Sequence, residues 1–196
     1  MVSKLIVAIA ISFVSLQCAA QVVPEVVRPQ LQLTAGAGMD YMSGDWGRGD
    51  INRWGPSAWA TVYIWHDLGI IAEGHSMIVG GNEHSSNYKY FTGGGGLIYT
   101  SGYWGRFQPL AKAEAGFASL THPDNGTNHF HHSSNIWTLG GGFEYHTYGN
   151  WWTRVEYDYD FFPDFHSSIT NTHPALNPRG IIFGMTYRFG PSGSRF

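Results

Sequence analysis

The chain has 196 residues, poor in charge (13%) and rich in aromatics (16%) and glycine (26), with a net charge of −3. No basic stripe marks a nucleic-acid surface, and the length suits one domain. There is one cysteine, so a disulfide framework is excluded.

Residues 1–20 have the form of a cleaved secretory signal. Lys4 supplies the charge, Leu5 to Leu16 the apolar run, and Cys18-Ala19-Ala20 the small residues before Gln21. The run is too short for a spanning helix, which needs about 20 residues. Lipidation of Cys18 is the alternative, and Gln17 fits a lipoprotein site poorly. Residues 21–29, with two prolines, read as a periplasmic lead-in.

Eight strands are predicted next, at 30–41, 56–66, 69–79, 88–100, 105–119, 135–147, 151–161 and 179–189. Most exceed the usual soluble strand of about five or six residues and match the nine to eleven or so of a tilted transmembrane strand. Connections alternate in length. Those at 42–55, 120–134 and 162–178 are long and 80–87 is medium. Asp67-Leu68, 101–104 and Tyr148-Gly149-Asn150 are short. Short periplasmic turns and long extracellular loops mark outer-membrane barrels. No helix-period segment appears, and residues 191–196 form a short tail.

The stretch WWTRVEYDYDF (151–161) fixes which face meets which solvent. Arg154, Glu156, Asp158 and Asp160 share one face, and Trp151, Val155, Tyr157, Tyr159 and Phe161 the other. An arginine facing lipid near the midplane costs about 2–4 kcal/mol, so the charged face must line a lumen. The same phasing sends Gln32, Thr34, Asp40, Glu73, His75, Gln108, Lys112, Glu114, Thr138, Glu144, His146, Thr186 and Arg188 inward. The second strand is ambiguous; Trp59, Tyr63 and Trp65 are expected outward. The predicted lumen network is Glu73, Lys112, Glu114, Glu144, Arg154, Glu156, Asp158 and Arg188, packed as ion pairs and not a wide channel. A turn centred on Gly149 puts Glu144 opposite Arg154. Gly94 and Gly96 are expected to leave room for Lys112. Aromatic girdles are expected at both interfaces, with Trp65, Tyr99, Trp104, Tyr145, Trp151 and Tyr187 toward the periplasm and Tyr41, Phe91, Trp137, Tyr159 and Phe161 outward. A soluble β-sandwich is the competing fold.

The last strand, GIIFGMTYRFG, carries Gly184, Tyr187 and Phe189 at the spacing of the barrel-assembly signal of outer-membrane proteins, although Ile182 stands where a polar residue is usual. With the signal and eight strands, the chain resembles small outer-membrane barrels of the OmpA-transmembrane-domain, OmpX and Opa type. The resemblance implies an all-β, eight-stranded antiparallel up-and-down transmembrane barrel at 30–190. It also implies a bacterial outer-membrane location, insertion by the barrel-assembly machinery, and lipid and lipopolysaccharide as surroundings. A monomer with a structural or surface-interaction role and no cofactor is expected. It implies no particular activity.

Motifs for chemistry are weak. His122, His129, His131 and His132 cluster in the fifth connection without a fixed ligand spacing. His132-Ser133 and His166-Ser167-Ser168, with Asp164, raise the alternative of an outer-leaflet lipid A hydrolase, but the longer Ser-Asn pattern of such enzymes is missing. Arg48-Gly49-Asp50 and the Asn125-Gly126-Thr127 sequon read as chance.

Overall fold

The computed structural model describes residues 31–45, 50–65, 67–77, 89–123, 129–162 and 177–189. It is one closed antiparallel barrel of eight strands, each paired with its neighbours in chain order and β1 closing on β8. The strands are β1 (Gln32–Asp45), β2 (Asp50–Trp65), β3 (Leu68–Met77), β4 (Lys89–Thr100), β5 (Phe107–Pro123), β6 (His129–Tyr148), β7 (Trp151–Phe161) and β8 (Arg179–Phe189). A single closed sheet replaces the sandwich alternative and leaves no unpaired edge.

Tight turns close one end. Gly149 and Gly105 sit at φ +56° and +65°, the left-handed region that glycine adopts without strain. Gly105 makes the turn into β5, so that strand starts at Phe107 and not at 105; Trp104 and Phe107 bridge across it.

The other end departs from expectation. The first and fifth connections shrink to 46–49 and 124–128, because β1, β2, β5 and β6 run past their predicted ends. Backbone pairing continues there although the apolar alternation of the sequence stops. β6 has 20 residues and its partner β7 only 11; the segment before Trp137 therefore projects past the end of β7. Residues 78–88 and 163–176, which hold the third and seventh connections, lie outside the described residues, as do 1–30 and 190–196.

Alternation is strict on β7, where Trp152, Arg154, Glu156, Asp158 and Asp160 are buried and Trp151, Tyr157 and Phe161 exposed. The outer wall is apolar: Ile70, Leu97, Phe117, Leu139, Ile181 and Phe183 are all at least half exposed. Rings cluster at both rims, with Trp65, Tyr99, Trp104, Trp151 and Phe189 exposed at the turn end and Trp54, Phe91, Trp137 and Phe161 at the other. Tyr41 lies against Trp54 at 4.6 Å and Tyr187 against Trp151 at 5.0 Å.

The expectation for β2 fails at two of its three residues. Trp59 and Tyr63 point into the lumen, 3% and 5% exposed, and only Trp65 points out. The cause is pairing with β1, where Thr34 opposes Thr61, Gly36 opposes Trp59 and Asp40 opposes Gly55. Opposed residues share a face, so the inward Thr34 and Asp40 carry the odd residues of β2 inward. Glycine makes the space. A Cβ at Gly36 or Gly184 would run into the Trp59 indole. A register irregularity between Tyr63 and Trp65 then turns Trp65 back to the outside.

Candidate functional site: the charged lumen

The inward faces stack in layers. Nearest the loop end, Met42, Met77, Tyr90, Ala118, Ile136 and Phe162 form a buried apolar layer. On β1, β3 and β6, Met42, Met77 and Ile136 are the next inward residues beyond Asp40, His75 and Thr138. Phe162 follows Asp160 in the same way. Arg53 of β2, opposite Met42, is buried at the same level, so one cation lies among these apolar side chains above the charges below.

The middle layer is built around Lys112. Its ammonium contacts Glu73, lies 2.9 Å from both Glu156 Oε1 and Asp158 Oδ2, and 3.6 Å from Glu114 Oε2. Two other strands thus converge on a chain rooted on β5: Glu73 comes from β3, and Glu156 and Asp158 from β7. Room for it comes from Gly140, which opposes Lys112 on one side and Asp158 on the other. A Cβ there would meet the carboxylates of Asp158 and Glu156 and lie 2.6 Å from Lys112 Cε. The expectation for Gly94 and Gly96 is corrected: a Cβ at either meets the backbone of β5 first, so those glycines serve strand approach.

Arg154 contacts Glu156, with Nε donating to Oε2 at 2.6 Å, and lies 3.9 Å from Glu73. Its guanidinium rests 4.8 Å from the Trp59 ring. His75 Nδ1 bonds Asp40, and Thr138 donates to Asp160 at 2.6 Å.

A second cluster lies toward the turn end. Arg188 Nη2 donates to Glu144 Oε2 and to Gln108 Oε1, each at 2.5 Å, and Nη1 donates to the Tyr103 hydroxyl at 2.9 Å. The same guanidinium stacks 3.7 Å from the Trp152 ring. Thr186 links the layers, accepting from Trp59 Nε1 and donating to Glu144, both at 3.1 Å.

Glu144 does lie opposite Arg154 in the β6–β7 register. The ion pairs are distributed differently: Arg154 goes to Glu156 and Glu73, and Glu144 to Arg188. A 2.5 Å bond between strands six and eight shows the reason. In so narrow a lumen a long arginine reaches past its opposed residue to a carboxylate one strand further round. All eight residues expected in the lumen are buried, in two clusters. Asp40, His75, Gln108, Asp160 and Thr186 also belong to the network, each on the predicted inward face; for His75, Asp160 and Thr186 the signal was a charged lumen residue two positions away. His146 sits at the turn-end mouth, with Nε2 2.9 Å from the Gly149 carbonyl oxygen and its ring against Trp152.

The motifs for chemistry are not assembled in the described residues. His122, His129, His131 and His132 fall on the outer ends of β5 and β6, where their side chains lie outside the described residues. Ser133 is exposed on β6. Asp164, His166, Ser167 and Ser168, like Arg48, Gly49 and the 125–127 sequon, lie outside the described residues.

Several solved structures share this architecture. Neisserial surface protein A matches at 14% identity over 80% of this chain and 97% of its own, with a TM-score of 0.67. OprG from Pseudomonas aeruginosa matches at 13% identity over 83% and 97%, with a TM-score of 0.58. Ail of Yersinia pestis, solved with the heparin analogue sucrose octasulfate, matches at 16% identity over 82% and 99%, with a TM-score of 0.54. At these identities the likeness is one of fold. Curated proteins provide no sequence match. The model of the outer membrane protein beta-barrel domain matches residues 6–189, nearly the whole chain. With its apolar outer wall, ringed rims and inward charges, the chain belongs to the outer membrane protein β-barrel family of bacteria.

Proposed function

We propose that the chain is a monomeric, non-enzymatic outer-membrane barrel with a structural or surface-interaction role, its lumen filled and not serving as a wide pore. The observation that carries this reading is the side-chain filling: an apolar layer over the Lys112 cluster, and the Arg188 cluster with Trp152 toward the other mouth. Packed charges of this kind specify which strand face turns inward. The β5–β6 hairpin, the longest in the barrel, is the element best placed to meet a partner outside the membrane. Ail, of similar fold, was solved with a heparin analogue, which supports polyanionic surface glycans as the first partner class to try.

In this reading residues 1–20 are removed on export, and Gly184, Tyr187 and Phe189 are read by the assembly machinery. Lipopolysaccharide surrounds the outer half. Liposome swelling tests the filled lumen. Vesicles carrying the purified barrel should take up small sugars no faster than empty vesicles, and porin-like swelling would contradict the reading.

A further inference from the structure

The middle layer holds more negative than positive charge. Asp40, Glu73, Glu114, Glu156, Asp158 and Asp160 face Lys112, Arg154 and His75, all buried, with Arg53 buried one step above. Lys112 takes Glu73 Oε2 and Asp158 Oδ2. Glu73 Oε1 and both oxygens of Asp158 accept no hydrogen bond, although both residues are more than nine-tenths buried. A buried carboxylate oxygen without a donor is costly and calls for a partner.

His75 stands beside them. One ligand atom each from Glu73, His75 and Asp158 lie within 4.8 Å of one another. His75 Nε2 is 3.5 Å from Glu73 Oε1. That is long for a hydrogen bond. It matches the ligand–ligand edge of about 3.4 Å in a tetrahedron with bonds of about 2.1 Å. Asp40 holds His75 Nδ1, the arrangement that turns the other imidazole nitrogen toward a metal.

We propose that Glu73, His75 and Asp158 form a buried site for a divalent transition-metal ion of the zinc type, with Asp40 as the positioning residue behind His75. One imidazole nitrogen and two carboxylate oxygens suit zinc, whereas calcium and magnesium favour all-oxygen sets. The ion takes Glu73 Oε1, which Lys112 leaves, and one oxygen of Asp158. With neutral His75, it also raises the positive charge beside the six carboxylates from the two of Lys112 and Arg154 to four.

The test uses the full barrel folded in detergent, loaded with Zn²⁺, dialysed, and assayed for retained metal. Folding of each variant is read from gel mobility. Wild type should keep about one Zn²⁺ per barrel, and so should a variant with His122, His129, His131 and His132 all changed to alanine. His75→Ala and Asp158→Asn should bind at least tenfold more weakly. Asp40→Asn should bind about 10–100-fold more weakly, the usual effect of losing a ligand's hydrogen-bond partner. Full retention by His75→Ala, loss only in the loop variant, or no retention by wild type would overturn the proposal. Should a lumen variant not fold, ¹⁵N NMR of the wild type decides: Zn²⁺ must shift His75 Nε2, and an unmoved signal counts against the site.

Discussion

Replacing Lys112 with methionine keeps most of the side-chain volume and removes the charge. The ammonium is fully buried and lies 2.9 Å from each of two carboxylates, besides its contacts with Glu73 and Glu114. With an effective dielectric of about 20, each 2.9 Å contact is worth about 6 kcal/mol of gross attraction. Desolvation of the ions offsets most of that, but removing one partner leaves the others buried and uncompensated, at a net cost of about 3–5 kcal/mol. This is a fifth or more of a typical stability of about 5–15 kcal/mol. Urea titration of the detergent-folded barrel, followed by tryptophan fluorescence and gel mobility, should show that loss at an unchanged slope. Adding Asp158→Asn should recover about 1–3 kcal/mol, because the pair is coupled. A loss below about 1 kcal/mol, or strict additivity of the two changes, would refute the claim that Lys112 is the charge centre of the lumen.

Two further predictions concern space. Gly140→Ala should cost about 1–3 kcal/mol by overpacking the carboxylates around Lys112. Gly141→Ala should stay within about 0.5 kcal/mol, because the nearest atom to its Cβ is the Leu110 carbonyl oxygen at 3.8 Å. Equal effects in urea titration would undo the assignment of Gly140. Among variants retaining a single tryptophan, brominated acyl chains should quench Trp137, 58% exposed, several-fold more than Trp59, 3% exposed; strong quenching of Trp59 would restore the outward placement.

The lumen face was legible wherever charge sat on one side of a strand. β7 declared itself because four charges alternate with rings, and the β6–β7 register followed from Gly149. β2 was not legible, because AWATVYIW puts small, apolar and aromatic residues on both faces and no charge sets the phase. Its orientation is imposed by β1, and Gly36 and Gly184 were the faint signal that an indole sits inside. The outer ends of β1, β2, β5 and β6 escaped because pairing there outlasts the hydrophobic pattern. The partner of Glu144 escaped for another reason. Register names the residue opposite, but an arginine in a narrow lumen reaches across to the next strand. The Glu73–His75–Asp158 group depends on side chains meeting across the barrel, and only Glu73 and His75 share a strand.

The barrel rests on one division: even residues of β7 and their counterparts inside, the apolar wall outside in lipid. Isoleucine methyl NMR in detergent micelles tests it most directly, because isoleucines lie on both faces. Ile64, Ile70 and Ile181 are 45%, 52% and 50% exposed, while Ile71, Ile98 and Ile182 are 0%, 1% and 2% exposed. Cross-relaxation with detergent acyl chains should appear for the first three and be absent for the second three. Contacts shared by both sets, or confined to Ile71, Ile98 and Ile182, would contradict the barrel as described.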